Sequence, residues 1–309
     1  MPRVVVLGSS GFDLTIHLPR LPKPGETLLG GHLHTGPGGK GANQALAAKK
    51  AGAEVVFLTV FGDDDFGRTV AAHNRANGID ISHAKIVPNT ANQVALIFVG
   101  HGGENLIGVA PGASAELRPE DIDALPEGVF RRDDVFLASL EVPVKTVLAA
   151  LKRARAAGMT TIVNPAPASL LAAEPEFLCL VDILTPNEEE AAILDEEPAS
   201  GVEGARRAAT SLRRAGVRDV IITLGEHGCL VVTEHEECRI AAPTVEVVDT
   251  VGAGDAFSGA LAVAIAEGQT VLEAASWACA AGAFAVTKRG AQGALPTRAE
   301  IEQLARGTG

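Results

Sequence analysis

The chain has 309 residues, 47% of them apolar, and its 38 acidic against 26 basic residues leave a net charge of −12. That length and apolar share suit one large core in a single enzyme-sized domain. The acidic balance excludes a nucleic-acid or anionic-membrane surface, which would need a basic field, so any phosphate must be held by locally placed donors.

The first apolar run, residues 4–7 before Gly8, is too short for a signal-peptide core or a membrane span and points to a cytoplasmic protein. From Phe12 to Thr35 the chain is punctuated by Pro and Gly, with strand-like pieces "LTIHL" and "ETLLGGHLHT". His32 and His34 share one face there, and no third metal ligand accompanies them. Residues 92–113 read as a hairpin around Gly102 and Gly103. The two stretches, 13–40 and 91–111, predict a small antiparallel sheet inserted into the main fold, either a cover for a site or a pairing surface.

Elsewhere, apolar runs at 4–8, 55–62, 134–140, 160–166, 181–187 and 219–225 alternate with Ala-rich segments of helical period at 41–52, 66–78, 143–158 and 203–216. Strands buried on both faces read as continuous apolar runs, so this alternation predicts βαβ units and a doubly wound, mostly parallel sheet. Ligands bind beyond the carboxyl ends of such strands. Those ends carry Gly8, Asp63, Glu141, Asn164, Asn187 and Gly225. Cys179, Cys229, Cys238 and Cys279 form no CxxC pair. A turn centred on "EHEE" would set Thr233, not Cys229, opposite Cys238, which argues against a disulfide between them.

Four stretches carry candidate chemistry. "GPGGKGANQALAAKKAG" (36–52) opens a helix without Walker spacing; its glycines admit close backbone approach, and Lys40 and Asn43 are donors suited to sugar hydroxyls. In "TPNEEEAAIL", Asn187 and Glu190 share one face at a helix start, where oxygen ligands suit hydrated Mg²⁺, although acidic residues there also simply answer the helix dipole. "TLGEHG" (223–228) is a strand end whose glycines suit nucleotide phosphates. Finally, "DTVGAGDAFSGAL" (249–261) places Gly252, Ala253 and Gly254 before an apolar helix beginning near Ala256. Free N–H groups at that terminus favour an anion. Asp255 beside them would repel a phosphate unless it serves as a base for the attacking nucleophile; an ordinary N-cap is the competing reading.

The order of these pieces, with "GDDDFG" (62–67) and "NPAPA" (164–168) between them, resembles the ribokinase-type sugar kinases of the PfkB carbohydrate kinase family over essentially the whole chain. The resemblance implies a three-layer αβα ribokinase-like domain over 1–309 with a β-sheet lid. It implies Asp255 as catalytic base and the N–H groups of Gly252, Ala253 and Gly254 as an anion hole. Asn187 and Glu190 would organise Mg²⁺ through water; Asn187, Thr223, Gly225, Gly228 and Gly254 would bind ATP. Asp13, Gly39, Lys40, Asn43 and Glu141 would bind sugar, and Asp249, Val251 and Gly290 a K⁺ ion. The lid would also clasp a second copy in a homodimer. "NPAPA", "GENLIGVAPGA" and "KRGAQ" most resemble the ribose-specific members and point to D-ribose phosphorylated at O5. One departure is Gly11, where those members carry Asn two residues before the sugar-binding Asp. Loss of that amide removes one or two hydrogen bonds of about 1 kcal/mol each. This keeps fructose, 2-keto-3-deoxygluconate or a nucleoside such as adenosine open as substrate, and a catalytically silent sensor is the reading from another class. A nicotinamide dehydrogenase is disfavoured, because no GxGxxG turn follows a strand.

Overall fold

The computed structural model describes residues 1–102, 104–173 and 176–307; Gly103, half of the expected hairpin tip, lies outside them. The N-terminal half contains β1 (Arg3–Leu7), β2 (Gly11–His17), β3 (His32–Gly38), α1 (Lys40–Lys50), β4 (Glu54–Leu58), β5 (Val60–Gly62), α2 (Asp65–Ala76), β6 (Lys85–Val87), β7 (Gln93–Val99), β8 (Asn105–Ala110) and α3 (Pro119–Asp123). There follow β9 (Val135–Ser139), α4 (Val144–Ala157), β10 (Thr160–Asn164), β11 (Ile183–Leu184), α5 (Glu188–Asp195), α6 (Gly201–Arg214), β12 (Asp219–Thr223), β13 (Cys229–Val232) and β14 (Glu237–Ile240). The chain ends with α7 (Ala253–Ala266), α8 (Val271–Ala285), α9 (Ala291–Ala294) and α10 (Arg298–Arg306).

The main sheet runs β14-β13-β12-β11-β10-β9-β1-β4, parallel from β4 to β12 with β13 and β14 antiparallel at one edge. Alternation along β1 shows how its two faces are used: Val4 and Val6 join the core formed with α1, α7 and α8, while Val5 and Leu7 join the core formed with α4 and α6. This is the expected doubly wound, three-layer arrangement. Because β4 lies on one side of β1 and β9 on the other, the strand order reverses there, and a crevice opens at their carboxyl ends.

Close backbone packing sets what lines that crevice. A Cβ at Gly41 would lie 2.5 Å from the Gly8 carbonyl carbon, so the start of α1 rests directly on the end of β1. A Cβ at Gly259 would lie 2.5 Å from the Ala47 Cβ, so α7 crosses α1 at contact distance. From Ala256 to Ala264 the residues of α7 are buried on every side, including Phe257 and Leu261, each stabilising the crossing by about 2 kcal/mol.

The second sheet, β3-β2-β7-β8, stands off the same edge. It is mixed, not purely antiparallel as expected: β2 and β7 pair in parallel from Gly11↔Gln93 to His17↔Val99. Both strands leave the main body in the same direction, β2 immediately after β1, and so run side by side. The run at 55–62 is likewise two strands. The Thr59 hydroxyl donates to the Gly8 carbonyl (2.8 Å) and turns the chain, after which β5 pairs with β6. In the β13–β14 hairpin, Cys238 faces Val231 instead of Thr233, because the turn is centred on Glu234 and His235. All four cysteines are free thiols, with Cys229 and Cys279 buried against each other, Sγ to Sγ 3.5 Å. His32 and His34 are exposed, and no cluster of three His, Cys, Asp or Glu side chains suited to a metal occurs among the described residues.

Candidate active site

The terminus of α7 begins three residues earlier than its apolar pattern suggests. Gly252, at φ 81°, is the cap residue, so Ala253, Gly254 and Asp255 form the first turn. The left-handed cap conformation favours glycine, and a Cβ there would approach the Ala291 Cα to 3.0 Å. Asp255 makes no capping bond, which removes the ordinary N-cap reading. Its carboxylate, 6% exposed, instead accepts from Asn43 Nδ2 (2.9 Å) and from Gln44 Nε2 (3.1 Å). Burial raises its pKa, opposed by Lys40 and the two amides. A Cβ at Gly254 would meet nothing, so the space before this turn is open. Of the three expected anion-hole amides, Ala253 N–H already has a partner, the Thr250 carbonyl at 3.3 Å.

A chain of carboxamides locks the aspartate. Gln292 Nε2 donates to Asn43 Oδ1 (3.0 Å), Gln44 Nε2 also reaches Asn164 Oδ1 (3.2 Å), and Asn164 Nδ2 donates to the Thr185 carbonyl (3.0 Å). Gln44 and Gln292 were missed as positioning residues. The signal for Gln44 was its place beside Asn43 in one helical turn; Gln292 carried none, since it lies 249 residues from its partner.

At the start of α1, Gly39 has φ 87°, and a Cβ there would lie 2.8 Å from Gly11 N. Lys40 N–H donates to Glu141 Oε2 (2.9 Å), which also accepts from the Ser9 hydroxyl. Burial opposes charge on the Lys40 ammonium, but Asp255, Glu141 and Glu190 outweigh it and raise its pKa. Lys40 therefore feels the Asp255, Glu141 and Glu190 carboxylates together. Asp13, on β2, projects over Gly38, where a Cβ would collide with its carboxylate. It has no donor among the described residues. Burial, then the neighbouring Glu141 and Asp255, push its pKa up to about 6.

A cavity of about 190 Å³ has Lys40, Asn187, Glu190, Thr223, Gly254 and Asp255 in its wall, whereas Asp13, Gly39, Asn43 and Glu141 are not part of that wall. Asn187 and Thr223 are bridged as neighbours, which sets the start of α5 beside the end of β12. Asn187 Oδ1 accepts from Glu190 N–H (2.7 Å) and Glu190 Oε2 from Asn187 N–H (2.9 Å), so the pair forms a capping box as well as facing the cavity. Burial raises the pKa of Glu190. Gly225 and Gly228 lie on the turn beyond Thr223, outside this wall. Asp249 joins two loops, accepting from Val251 N–H (3.0 Å) and Gly290 N–H (2.8 Å), so the three residues expected around a monovalent cation do meet. A larger hollow of about 430 Å³ between Pro243, Phe284 and Leu304 contains none of these residues.

The assembled site offers a buried carboxylate of raised pKa, an ammonium beside it, and open main-chain amides at a helix terminus, facing one cavity. That combination can take a proton from an alcohol while stabilising negative charge on a neighbouring phosphorus centre. Residues 1–298 match the model of the pfkB family carbohydrate kinases. The chain is 38% identical over 297 residues to a ribokinase of Haemophilus influenzae, covering 96% of each, and 38% identical over 301 residues to a deoxyribokinase of Salmonella typhi, covering 97% of each. Among solved structures, an Arabidopsis thaliana ribokinase complexed with ribose and ATP superposes with a TM-score of 0.87 at 29% identity, covering 99% of this chain and 98% of that one.

Proposed function

The chain belongs to the pfkB family of carbohydrate kinases, and we propose that it transfers the γ-phosphoryl group of ATP to O5 of D-ribose, giving D-ribose 5-phosphate and ADP. The observation that carries this reading is the Asp255 carboxylate, buried at the first turn of α7, held by Asn43 and Gln44, and facing the same cavity as Lys40 and Gly254.

In the proposed reaction Asp255 accepts the proton of the sugar hydroxyl as its oxygen forms the new bond to phosphorus and the bond to the β-phosphate bridging oxygen breaks. Burial raises its pKa and so strengthens it as a base, while Lys40 and the Asn43 and Gln44 amides favour its ionised form. The N–H groups of Gly252 and Gly254 and the Lys40 ammonium face the charge that spreads over the transferring group, and the Ala253 N–H joins them by giving up its bond to the Thr250 carbonyl. Asp13, Gly39, Lys40, Asn43 and Glu141 hold the sugar; the unpartnered Asp13 carboxylate is a ready acceptor for its hydroxyls. Asn187, Thr223, Gly225, Gly228 and Gly254 hold the nucleotide.

The donor sets fit the two expected cations. Glu190, a carboxylate raised in pKa by burial, and Asn187 would hold Mg²⁺ through water, where the ion supplies charge neutralisation of the phosphates. The Asp249 carboxylate, with carbonyls at Val251 and Gly290, is a hard-oxygen set suited to K⁺, which would support the loops flanking the anion hole.

We further take the segments 13–40 and 91–111 as a lid that closes over the sugar. The lid face carrying Leu33, Leu96 and Leu106, which are 64%, 51% and 57% exposed and lie opposite the Asp13 face by register, would join a second copy in a homodimer. No helix among the described residues is long and apolar enough to cross a membrane, and the four free thiols suit a reducing cytoplasm. The deciding experiment is ADP release from ATP across ribose, 2-deoxyribose, fructose, 2-keto-3-deoxygluconate and adenosine. Ribose should give the highest kcat/KM; a higher value for any other acceptor overturns the assignment.

A further inference from the structure

The loss of a side chain at Gly11 leaves space beside the sugar carboxylates, and another amide occupies it. Gly11 on β2 is in direct register with Gln93 on β7, and a Cβ at Gly11 would lie 3.2 Å from both Cγ and Nε2 of Gln93. Side chains alternate along a strand, so Gln93 points to the same face as Asp13, two residues on from Gly11. Its Nε2 lies 3.4 Å from Glu141 Oε2, the oxygen that also takes the Lys40 N–H. Gln93 is 3% exposed, and its carbonyl oxygen is buried with no hydrogen-bond partner. A buried, unpaired acceptor is unfavourable unless something completes it, and here it stands among the groups assigned to the sugar.

We infer that Gln93 is a specificity-determining residue of this kinase: its carboxamide hydrogen-bonds a ring hydroxyl of the sugar from the neighbouring strand, taking over the task of a side-chain amide at position 11. The inference rests on the proposed ribose kinase reading and narrows it. An amide returned from β7 restores discrimination for a hydroxylated pentose, which Gly11 alone would weaken. It also makes positions 11 and 93 one functional unit, because the two side chains compete for the same volume.

The test compares Gln93→Met, which keeps the volume and removes the amide, with Gln93→Gly and the double variant Gly11→Asn/Gln93→Gly. Gln93→Met should raise KM for ribose about tenfold, with kcat and KM for ATP changed less than about threefold, as loss of one or two hydrogen bonds predicts. Gly11→Asn/Gln93→Gly should recover most of the affinity that Gln93→Gly loses, since the amide then stands on β2. Calorimetric binding of ribose without ATP should follow the same order. An unchanged KM for ribose in Gln93→Met, an equal loss in every kinetic constant, or a double variant no better than Gln93→Gly overturns the assignment. Wild-type turnover tests the underlying reading separately: if wild type phosphorylates ribose and the variants match it, only the role of Gln93 falls, whereas if wild type rejects ribose, both fall.

Discussion

Asp13→Asn should make the unliganded protein more stable at neutral pH while weakening its hold on sugar. The Asp13 carboxylate is held at about 6 against an ordinary 3.8, first by burial and then by the charges of Glu141 and Asp255. A carboxyl whose pKa is raised on folding binds more protons in the folded state between those two values, so stability falls as pH rises from about 4 to 6 and stays lower above that. Two pKa units correspond to about 3 kcal/mol, an upper bound because local relaxation and water relieve part of it. Replacing the carboxylate by a neutral amide should recover about 1–3 kcal/mol at pH 7.5, raising Tm by roughly 2–6 °C for a chain of this size. Paired calorimetric scans of wild type and variant without sugar, at pH 7.5 and pH 4, measure it. The gain should vanish at pH 4, where the wild-type carboxyl is already neutral. The same variant should raise KM for ribose by roughly 10- to 100-fold, since a charged acceptor is lost. An equal or lower Tm at pH 7.5, or a gain that persists unchanged at pH 4, would refute the electrostatic account of Asp13.

Asp255→Asn should lower kcat by roughly 10²- to 10⁴-fold in a coupled ADP assay with the circular dichroism spectrum unchanged; turnover at the wild-type rate removes it as the base. Because the pKa of Asp255 is raised, kcat/KM should fall on the acid side at a higher pH than for an ordinary aspartate, as the base becomes protonated. Lys40 is the largest influence holding that pKa down, so Lys40→Met should move the acid limb to higher pH whatever it does to the rate; a limb that does not move contradicts the coupling. Activity should be higher in K⁺ than in Na⁺ buffer, and Asp249→Ala should remove the difference, because Asp249 clamps the loops at Val251 and Gly290; equal wild-type rates in both salts count against the cation site.

Much of the fold was legible because its strands are buried on both faces and outer helices such as α2, α4 and α6 carry one apolar stripe, so local patterning and layer assignment coincide. The position of Asp255 was legible for a related reason: small residues before a featureless apolar helix mark a helix terminus built to receive something. Some expectations failed, two of the following because long-range contacts overrode local pattern. The run at 55–62 broke because Thr59 bonds the end of another strand. The small sheet is mixed because β2 and β7 leave the same edge, and α7 starts at Ala253 because Gly252 can adopt the left-handed cap.

By itself, the sequence determined the doubly wound layering, the helix-terminal glycines and the residue types able to move a proton and hold an anion, because these follow from period, glycine placement and chemistry within a dozen residues. Only the tertiary structure decided which amides grip Asp255, why the Asp13 carboxyl sits near 6, and that Gln93 occupies the space beside Gly11. Each depends on the separation and burial of groups tens to hundreds of residues apart, and hydrogen bonds and charge coupling act over a few ångströms of space, whatever the distance along the chain.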